Sequence, residues 1–403
     1  MKINTLVVKD FIDHKQGIKS HQLPIYATSS FEFEDAQEAV DIFNKTKNGY
    51  VYSRYANPTI DHVAAKIAQL EGLGSGKECI AYLTSSGMSA ISSVMLGILE
   101  KGDHVITQKD LYGGTTELFN KVLTKSGIDF TYIDLNDLFG LKNLLEGNKK
   151  IKCIYVETPA NPTLNCVDIQ VLSNLTNQYG ILLIVDNTFC TPIIQQPIML
   201  GADFVIHSTT KYLNGHGNSI AGVIVSPHVD LMKESIWPTI KLLGSNSNPM
   251  DAWLLNLGMK TLALRLEKQC SNAEVLARFL ESHALVNHVN HLSLPNHNSH
   301  AIALKQMKKF GAMLSFEVTG GMESALKWID NLKLCTHAPT LGDVDTLVLH
   351  PASSSHIAIP KIEREAVGIS DGLIRVSVGI EDIEDLLADM TQAFNLLNNT
   401  LKK

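Results

Sequence analysis

The stretch from about residue 60 to residue 250 alternates runs that have the period of an amphipathic helix with short aliphatic runs typical of buried strands. Such alternation predicts βαβ units, and strands that are hydrophobic throughout favour a mainly parallel sheet covered by helices on both faces. The predicted helices include 63–70 and 89–99, and the predicted strands include 79–83, 104–107, 153–156, 181–185 and 204–206.

Beyond Trp253 the pattern changes. A long helical run continues through Leu280, a His/Asn-rich segment covers 287–300, and a smaller α+β section begins near Met313. A separate helical segment is predicted over 36–43. We therefore predict a larger domain over 51–250 and a C-terminal domain over 251–403.

The His/Asn-rich segment contains four histidines, a residue type that often binds metals. Their spacing does not place ligands regularly on one element, so we interpret the segment as a solvated loop and expect no metal site. The four are His288, His291, His297 and His300.

The composition of the chain argues against several classes of protein, among them nucleic-acid-binding and membrane proteins. The chain has 403 residues, 45% of them hydrophobic, and a net charge of −7 that offers no basic surface for nucleic acid. No apolar run is long enough to span a membrane, and the first residues lack the apolar core of a signal peptide. The six cysteines show no Cys-x-x-Cys spacing. We expect a cytoplasmic protein that acts on small molecules.

Candidate chemistry appears in the segment Ser208-Thr209-Thr210-Lys211-Tyr212, which follows the predicted strand 204–206. A desolvated lysine can form a Schiff base, and the hydroxyls of Ser208 and Thr210 can hold a phosphate. Pyridoxal phosphate carries both an aldehyde and a phosphate. A lysine on a polar loop is the competing interpretation.

A carboxylate at the end of the preceding strand strengthens the cofactor interpretation. Asp186 follows an aliphatic run, where ligands of open α/β sheets bind, and an aspartate there can keep the pyridine nitrogen protonated. A magnesium site or a helix cap would place an aspartate similarly, although no Gly-x-x-x-x-Gly-Lys-Ser/Thr loop precedes it.

The turn Ser86-Gly87-Met88 connects a predicted strand to a predicted helix. Its backbone N–H groups would point outward from a helix N-terminus, a geometry that favours a phosphate, and Gly87 would allow close approach. An ordinary strand-to-helix turn is the alternative.

Many further segments resemble one family, the pyridoxal-phosphate-dependent enzymes of cysteine and methionine metabolism. Its members include methionine γ-lyase, cystathionine γ-lyase, cystathionine γ-synthase and O-acylhomoserine sulfhydrylase. The similar segments run in family order over nearly the whole chain: Tyr52-Ser53-Arg54, Asn57-Pro58-Thr59, Ser85-Ser86-Gly87-Met88, Tyr112-Gly113-Gly114-Thr115, Glu157-Thr158-Pro159-Ala160-Asn161-Pro162-Thr163, Asp186-Asn187-Thr188, Ser208-Thr209-Thr210-Lys211-Tyr212, His350-Pro351-Ala352-Ser353 and Ile374-Arg375-Val376-Ser377-Val378-Gly379.

The resemblance implies a type I fold of the aspartate aminotransferase kind, with a seven-stranded sheet, and pyridoxal phosphate as cofactor. It implies that residues 1–50 form an arm that contributes to a neighbouring subunit, and that Tyr52 and Arg54 reach the neighbour's phosphate. The expected assembly is a homotetramer, a dimer of dimers with shared active sites. Asn161 would donate to the ring hydroxyl of the cofactor, although Asn-Pro is also a common turn pair.

Three more residues are candidates for substrate chemistry. The family's equivalent of Tyr112 stacks on the pyridine ring, and a phenol near a cation can act as an acid or base; packing against a glycine turn is the alternative. Arg375 lies in an alternating, buried-looking run, and its planar fork suits an α-carboxylate. Thr340, in the Leu-Gly motif region, is a third candidate for substrate binding.

These residues serve two reactions equally. γ-Elimination of methionine, homocysteine or cystathionine gives 2-oxobutanoate, ammonia and a thiol, whereas γ-replacement transfers a thiol onto an activated homoserine. The stretch 368–375 resembles methionine γ-lyase, and 24–31 is nearer to the sulfhydrylases. We favour a carbon–sulfur lyase, with the transferase as the alternative.

The distal pocket departs from the familiar patterns. Gly114 stands where methionine γ-lyases often have cysteine, Leu242 follows the pocket lysine Lys241 where they often have aspartate, and Pro339 precedes Thr340 where cystathionine γ-lyases often have glutamate. A catalytically silent protein is disfavoured, because Lys211, Tyr112 and Arg375 are all present.

Overall fold

A seven-stranded sheet forms the centre of the larger part of the molecule in the computed structural model, which describes residues 1–10, 12, 19–357 and 359–401. The spatial order is β1-β7-β6-β5-β4-β2-β3; β7 runs antiparallel to its two neighbours and the other pairs are parallel. The predicted mainly parallel, seven-stranded sheet is thus confirmed. Its strands are β1 (Ile80–Thr84), β2 (His104–Gln108), β3 (Asp129–Ile133), β4 (Ile151–Glu157), β5 (Leu182–Asp186), β6 (Phe204–Ser208) and β7 (Gly222–Ser226).

The central strands are buried on both faces, as their aliphatic sequences predict. Alternate residues of β4 enter two different cores: Ile154 and Val156 pack on one face of the sheet, Cys153 and Tyr155 on the other. Because side chains alternate across a strand, two separate cores require a layer of helices on each face.

Helices cover both faces of the sheet. Several of them begin with a side chain that accepts a hydrogen bond from a backbone N–H, such as Ser86 and Asp168.

In the described part of the chain, no helix is long and apolar enough to cross a membrane. The helices are α1 (Ile3–Val8), α2 (Ala36–Phe43), α3 (Pro58–Gly72), α4 (Gly87–Ile98), α5 (Gly113–Glu117), α6 (Leu138–Gly147), α7 (Ile169–Tyr179), α8 (Thr191–Ile194), α9 (Val229–Leu231), α10 (Trp237–Leu243), α11 (Pro249–Met259), α12 (Leu262–Glu281), α13 (His300–Gln306), α14 (Gly321–Asp330), α15 (Lys361–Ala366) and α16 (Ile383–Leu401).

The single helical run predicted beyond Trp253 is instead two helices, α11 and α12, that break at Lys260 and Thr261. The carbonyl of Gly258 accepts hydrogen bonds from the Arg265 guanidinium and the Thr261 hydroxyl, at 3.0 and 3.2 Å. These side chains satisfy a carbonyl at the end of α11, which stabilises the break.

A second, five-stranded sheet lies in the C-terminal part, in the order β10-β11-β12-β9-β8. Phe316, Trp328 and Phe394 form its core, and α12 contributes Leu266 to the larger core and Leu280 to this one. The smaller α+β unit is therefore present, but its first strand precedes Met313. The strands are β8 (Val286–Asn290), β9 (Met313–Val318), β10 (Thr336–His337), β11 (Leu347–Leu349) and β12 (Leu373–Ser377).

The prediction of a solvated loop over 287–300 was wrong, because this segment includes β8 and buried histidines. His291 and His297 are buried, and their ring nitrogens lie 3.4 and 3.1 Å from the carbonyl oxygens of Gly311 and Thr163. These partners compensate for removing the imidazoles from water. No group of three potential metal ligands occurs within the described ranges.

The first residues pack on their own chain. Leu6 and Val7 of α1 enter the larger core, and the Asp10 carboxylate lies 3.0 Å from Lys66 Nζ and 2.8 Å from Lys260 Nζ. Burial opposes its ionisation, but His62, Lys260 and Lys66 outweigh burial and hold the pKa of Asp10 well below its usual range. That residues 1–50 also reach a neighbouring subunit stays a prediction.

We predict that Asp10→Asn weakens this attachment. Removing one partner from a buried ionic cluster leaves Lys66 uncompensated, which costs on the order of 3 kcal/mol. At pH 7, above the usual pKa of aspartate, the contribution of a carboxylate with a lowered pKa is fully present. Thermal unfolding should shift down and trypsin should cleave faster after the exposed Lys9. The exposed Asp230→Asn serves as control, and wild-type behaviour of Asp10→Asn would contradict the anchoring role.

Candidate active site

Polar residues gather where β4, β5 and β6 end. Glu157 and Asp186 are the last residues of β4 and β5 and pair directly in register, and Ser208 ends β6. Because parallel strands present their carboxyl ends at one edge, chain segments far apart in sequence meet there. Lys211 follows in the turn after β6.

Lys211 is held by the second domain. Its Nζ donates to the Thr340 hydroxyl at 2.9 Å. Burial and then the nearby Arg375 charge lower the pKa of Lys211, while Asp343 opposes the change. The lower pKa makes the neutral amine, the form that can act as a nucleophile or a base, more accessible than in a solvated lysine.

Arg375 is 4% exposed and lacks a buried counter-ion. Nη2 donates to the Thr340 carbonyl at 2.8 Å and Nη1 lies 3.5 Å from Asn161 Oδ1, but Nε is buried without a hydrogen-bond partner. Over the described ranges, no carboxylate forms an ion pair with this guanidinium. A buried cation with a free N–H fits a ligand carboxylate.

The turn 86–88 has the features of a phosphate site. Helix α4 begins at Gly87, and a Cβ on Gly87 would lie 2.7 Å from Ser208 Cβ, so only glycine permits this approach. Backbone N–H groups at the start of the helix and the adjacent Ser208 hydroxyl, which has no partner in the described part of the protein, fit a phosphate.

Two predicted phosphate donors have other contacts. The Ser86 hydroxyl accepts from Ser89 N at 3.0 Å and thus caps α4. The Thr210 hydroxyl donates to the Ala221 carbonyl at 3.2 Å. Thr210 therefore holds the turn against β7, and its role toward a phosphate stays a prediction.

The two strand-end carboxylates lie side by side, with Glu157 buried and Asp186 partly buried. Tyr155 Oη lies 3.4 Å from both Glu157 Oε1 and Asp186 Oδ2, and Thr188 N donates to Asp186 Oδ1 at 3.0 Å. Burial raises the pKa of Asp186; burial and then the Asp186 charge raise that of Glu157. A protonated pyridine nitrogen would supply a positive charge to this acidic pair.

Glu157 also holds the segment that carries Tyr112. The Tyr112 backbone N–H donates to Oε2 at 2.7 Å, and the Thr115 hydroxyl donates to Oε1 at 2.9 Å. The Tyr112 ring lies over Gly114, since a Cβ there would be 2.6 Å from its Cε1. The ring is 46% exposed, and its phenol has no hydrogen bond to another described residue.

Tyr52 and Arg54 do not join this group within one chain. Arg54 Nη1 donates to the Lys241 carbonyl at 2.7 Å, and its guanidinium lies 5.6 Å from the Tyr52 ring. In the described part of the chain, neither side chain forms a hydrogen bond or an ion pair with Ser86, Gly87 or Ser208. The arrangement leaves room for a contribution to another subunit, which stays a prediction.

Sequence reasoning missed Glu157, Tyr155 and Asp343 as parts of the site. Glu157 could have been found by the rule that found Asp186. Each of the two is the last residue of its strand, and the two strands are neighbours in the sheet. Asp343 lies 132 positions beyond Lys211 in a different domain, and no local pattern connects the two.

Comparisons with known proteins were made for the whole chain. The family model for Cys/Met metabolism PLP-dependent enzymes matches residues 4–395. The chain is 45% identical over 372 residues to an L-methionine gamma-lyase of Fusobacterium nucleatum subsp. polymorphum, covering 92% of each protein. It is 42% identical to a cystathionine beta-lyase of Lactococcus lactis subsp. cremoris, covering 97% of this chain and 98% of the other. The crystal structure of a Xanthomonas oryzae pv. oryzae cystathionine gamma synthase, in complex with aminoacrylate and cysteine, superposes with a TM-score of 0.92 at 36% identity and 99% coverage of both chains.

We predict that Glu157→Gln changes how stability depends on pH. A carboxyl whose folded pKa is raised binds more protons in the folded state, so it destabilises the fold increasingly as pH rises through that window. The melting temperature of Glu157→Gln relative to wild type should therefore rise between about pH 5 and about pH 8. The corresponding difference in the free energy of unfolding should grow by up to ~1.4 kcal/mol per pH unit. The exposed Glu117→Gln, on α5, should show no such trend. A flat difference for Glu157→Gln would contradict the raised pKa.

Proposed function

Since the chain belongs to the family of Cys/Met-metabolism PLP-dependent enzymes, we propose that it catalyses γ-elimination on a sulfur amino acid such as L-methionine, L-homocysteine or L-cystathionine. The products are 2-oxobutanoate, ammonia and a thiol. The expected family and fold are confirmed, and pyridoxal phosphate is its cofactor. The family consists of enzymes, which agrees with retention of Lys211, Tyr112 and Arg375.

One observation carries the proposal: Thr340 connects a base and a carboxylate-binding group. Its hydroxyl accepts from Lys211 and its carbonyl accepts from Arg375, which has a buried free N–H. An α-amino acid whose carboxylate binds Arg375 therefore has its Cα close to the lysine amine. Positioning of this kind supports proton removal from Cα.

The residues that would hold the cofactor are grouped by its chemical parts. Asp186 would accept the ring N–H, Lys211 would bond to the aldehyde carbon, Asn161 would face the ring hydroxyl, and 86–88 with Ser208 would bind the phosphate. When bound, pyridoxal phosphate supplies an electron sink that makes protons at Cα, and next at Cβ, acidic.

The protein's own groups then move protons. Arg375 orients the α-carboxylate, and the neutral Lys211 amine removes the Cα proton. The Cβ proton leaves next, and its bonding electrons form the Cβ–Cγ double bond as the Cγ–S bond breaks. The Tyr112 phenol, which has no hydrogen bond to another described residue, gives a proton to the departing γ-sulfur. Return of a proton to the γ-carbon and hydrolysis by water then release ammonia and the 2-oxo acid. γ-Replacement uses the same groups and differs only in that an external thiol attacks, so it is an alternative outcome of the assay below.

Gly114 bears on the choice between these reactions. A cysteine here, as in many methionine γ-lyases, would displace the Tyr112 ring from its present position. The pocket beside the phenol is thus shaped differently, although the L-methionine gamma-lyase relative supports elimination. The substrate must be identified by assay.

We predict 2-oxobutanoate and ammonia in equal amounts from at least one of L-methionine, L-homocysteine and L-cystathionine. Lys211→Ala should lower this rate by at least about 100-fold, the scale of a lost general base, while the exposed Lys149→Ala should not. The lactate dehydrogenase assay measures the 2-oxo acid, and the glutamate dehydrogenase assay measures the ammonia, for both variants and the wild type. Faster formation of homocysteine from O-acetyl-L-homoserine and sulfide than of 2-oxobutanoate would contradict elimination and favour γ-replacement.

We also propose that Tyr52 and Arg54 complete the phosphate site of a neighbouring chain, in a homotetramer built from two such dimers. Arg54→Ala and Lys211→Ala chains should each be nearly inactive. In a two-fold symmetric mixed dimer, one of the two sites receives both intact residues. An equal mixture should therefore regain roughly a quarter of wild-type activity, since half the dimers are mixed and half of their sites complete.

The control for this experiment is a mixture of Arg54→Ala with an Arg54→Ala/Lys211→Ala chain, which contains no complete site. Native mass spectrometry should first show that mixed dimers form. No recovery in confirmed mixed dimers would place Arg54 in its own chain's site or outside the site.

A further inference from the structure

One buried carboxylate holds the ends of the two strands that carry the proposed cofactor contacts. Glu71 is in the last turn of α3; its Oε1 lies 2.6 Å from His207 Nε2 and accepts a hydrogen bond from Asn187 Nδ2 at 3.1 Å. His207 directly precedes Ser208, the last residue of β6. Asn187 directly follows Asp186, the last residue of β5. Glu71 therefore connects the chain neighbours of the two residues proposed to bind the phosphate and the ring nitrogen.

This contact lies on the face of the sheet opposite Asp186. Val205 packs in one core and Ile206 in the other, so His207 points to the Val205 side of β6. Asp186 pairs in register with Ile206 and points to the Ile206 side. Glu71 therefore lies behind the strands and can affect a ligand at their ends only by positioning them.

Stability alone does not explain a polar cluster at this place. Glu71, His207 and Asn187 are all buried, and Glu71 Oε2 and His207 Nδ1 have no hydrogen-bond partner in the described part of the protein. Unpaired buried polar atoms cost free energy, and a well-packed apolar pair often stabilises a fold as much as a buried ionisable pair does. What the polar cluster adds is a set of hydrogen bonds, whose narrow range of lengths fixes α3 relative to the two strand ends.

The same cluster reaches the segment that carries Asn161, the residue proposed to face the ring hydroxyl. Gln195 Nε2 donates to Asn187 Oδ1 and to the Thr158 carbonyl, both at 3.0 Å, and Asn187 Nδ2 donates to the Gln195 carbonyl at 3.0 Å. Thr158 lies three positions before Asn161. The proposed contacts to the ring and to the phosphate are thus all connected to this cluster.

We infer that Glu71 is a positioning residue that sets the separation between the ring-nitrogen site at Asp186 and the phosphate site at Ser208, an inference that rests on the cofactor contacts proposed above. Pyridoxal phosphate is a rigid ring with a short phosphate arm, so both ends bind at once only where the two sites are correctly spaced. Simultaneous engagement of two ends can add about 100-fold or more to affinity, and this gain is lost where geometry prevents it. Without Glu71, each end should still bind its own site, but the two should no longer reinforce each other.

Three probes that cannot form a Schiff base test this inference: pyridoxine 5′-phosphate, pyridoxine and inorganic phosphate. Their dissociation constants are measured with the full-length protein freed of its cofactor, by calorimetry for the first probe and by ligand-observed NMR for the other two. Glu71→Ala should weaken pyridoxine 5′-phosphate by at least about tenfold, whereas pyridoxine and phosphate should each change by less than about twofold. Glu71→Gln, which keeps an oxygen for Asn187, should retain most of the affinity. The exposed Glu78→Gln is the matched control and should bind like the wild type.

A second variant separates positioning from stability, because Glu71→Ala leaves His207 without its partner. In Glu71→Met/His207→Leu, apolar atoms fill the same space, so the protein should melt near the wild type and still show the selective loss. Equal weakening of all three probes would overturn the inference, and so would a lower melting temperature with unchanged binding of pyridoxine 5′-phosphate. A purely structural role does not distinguish the joined probe from its two parts.

The failure of this inference can be told apart from failure of the proposed reaction, because the binding test uses no amino-acid substrate. Selective loss of pyridoxine 5′-phosphate binding, together with no 2-oxobutanoate from any sulfur amino acid, would support the role of Glu71 and refute elimination. Formation of 2-oxobutanoate by the wild type, together with unchanged probe binding in Glu71→Ala, would support elimination and overturn the role of Glu71.

Discussion

The hydroxyl and the carbonyl of Thr340 are both engaged at the centre of the site, and the rest of its geometry depends on these two contacts. The hydroxyl accepts from Lys211 at 2.9 Å and the carbonyl accepts from Arg375 at 2.8 Å. Lys211 follows a strand of the larger sheet, whereas Thr340 and Arg375 belong to the C-terminal unit. The packing of the two units on each other therefore sets the distance between Lys211, the proposed base, and Arg375, the proposed carboxylate-binding group.

Burial is the common cause of the unusual titration at this place. It lowers the pKa of Lys211 and raises those of Asp186 and Glu157, because in each case the charged form loses its hydration. The same burial leaves Arg375 Nε without a partner. Buried groups of opposite charge that do not pair with one another are typical of a functional site, and here they agree with the proposed binding of a carboxylate and a cationic ring.

The cationic side chains of this protein differ in what lies next to their charge. Most lysine ion pairs, such as Lys121 with Glu117, are exposed and contribute little to stability. Arg54 and Lys241 instead stack on aromatic rings and lack a carboxylate partner in the described residues. Stacking replaces part of their hydration without neutralising them, which keeps their charge available to a ligand.

The sequence by itself determined the elements whose signal is local. Helix α2 was predicted to the residue, the aliphatic runs gave the parallel strands, and the strand-end rule brought Asp186, Ser208 and Lys211 together, because periodicity and strand polarity are properties of neighbouring residues. Only the tertiary structure decided the insertion of antiparallel β7 between β1 and β6, the burial of His291 and His297, and the use of Thr340, 129 positions from Lys211, as its partner. These features arise from contacts between segments that are distant in the chain. Each such contact costs conformational entropy and gains free energy from burial, and the balance is decided only when the whole core is packed.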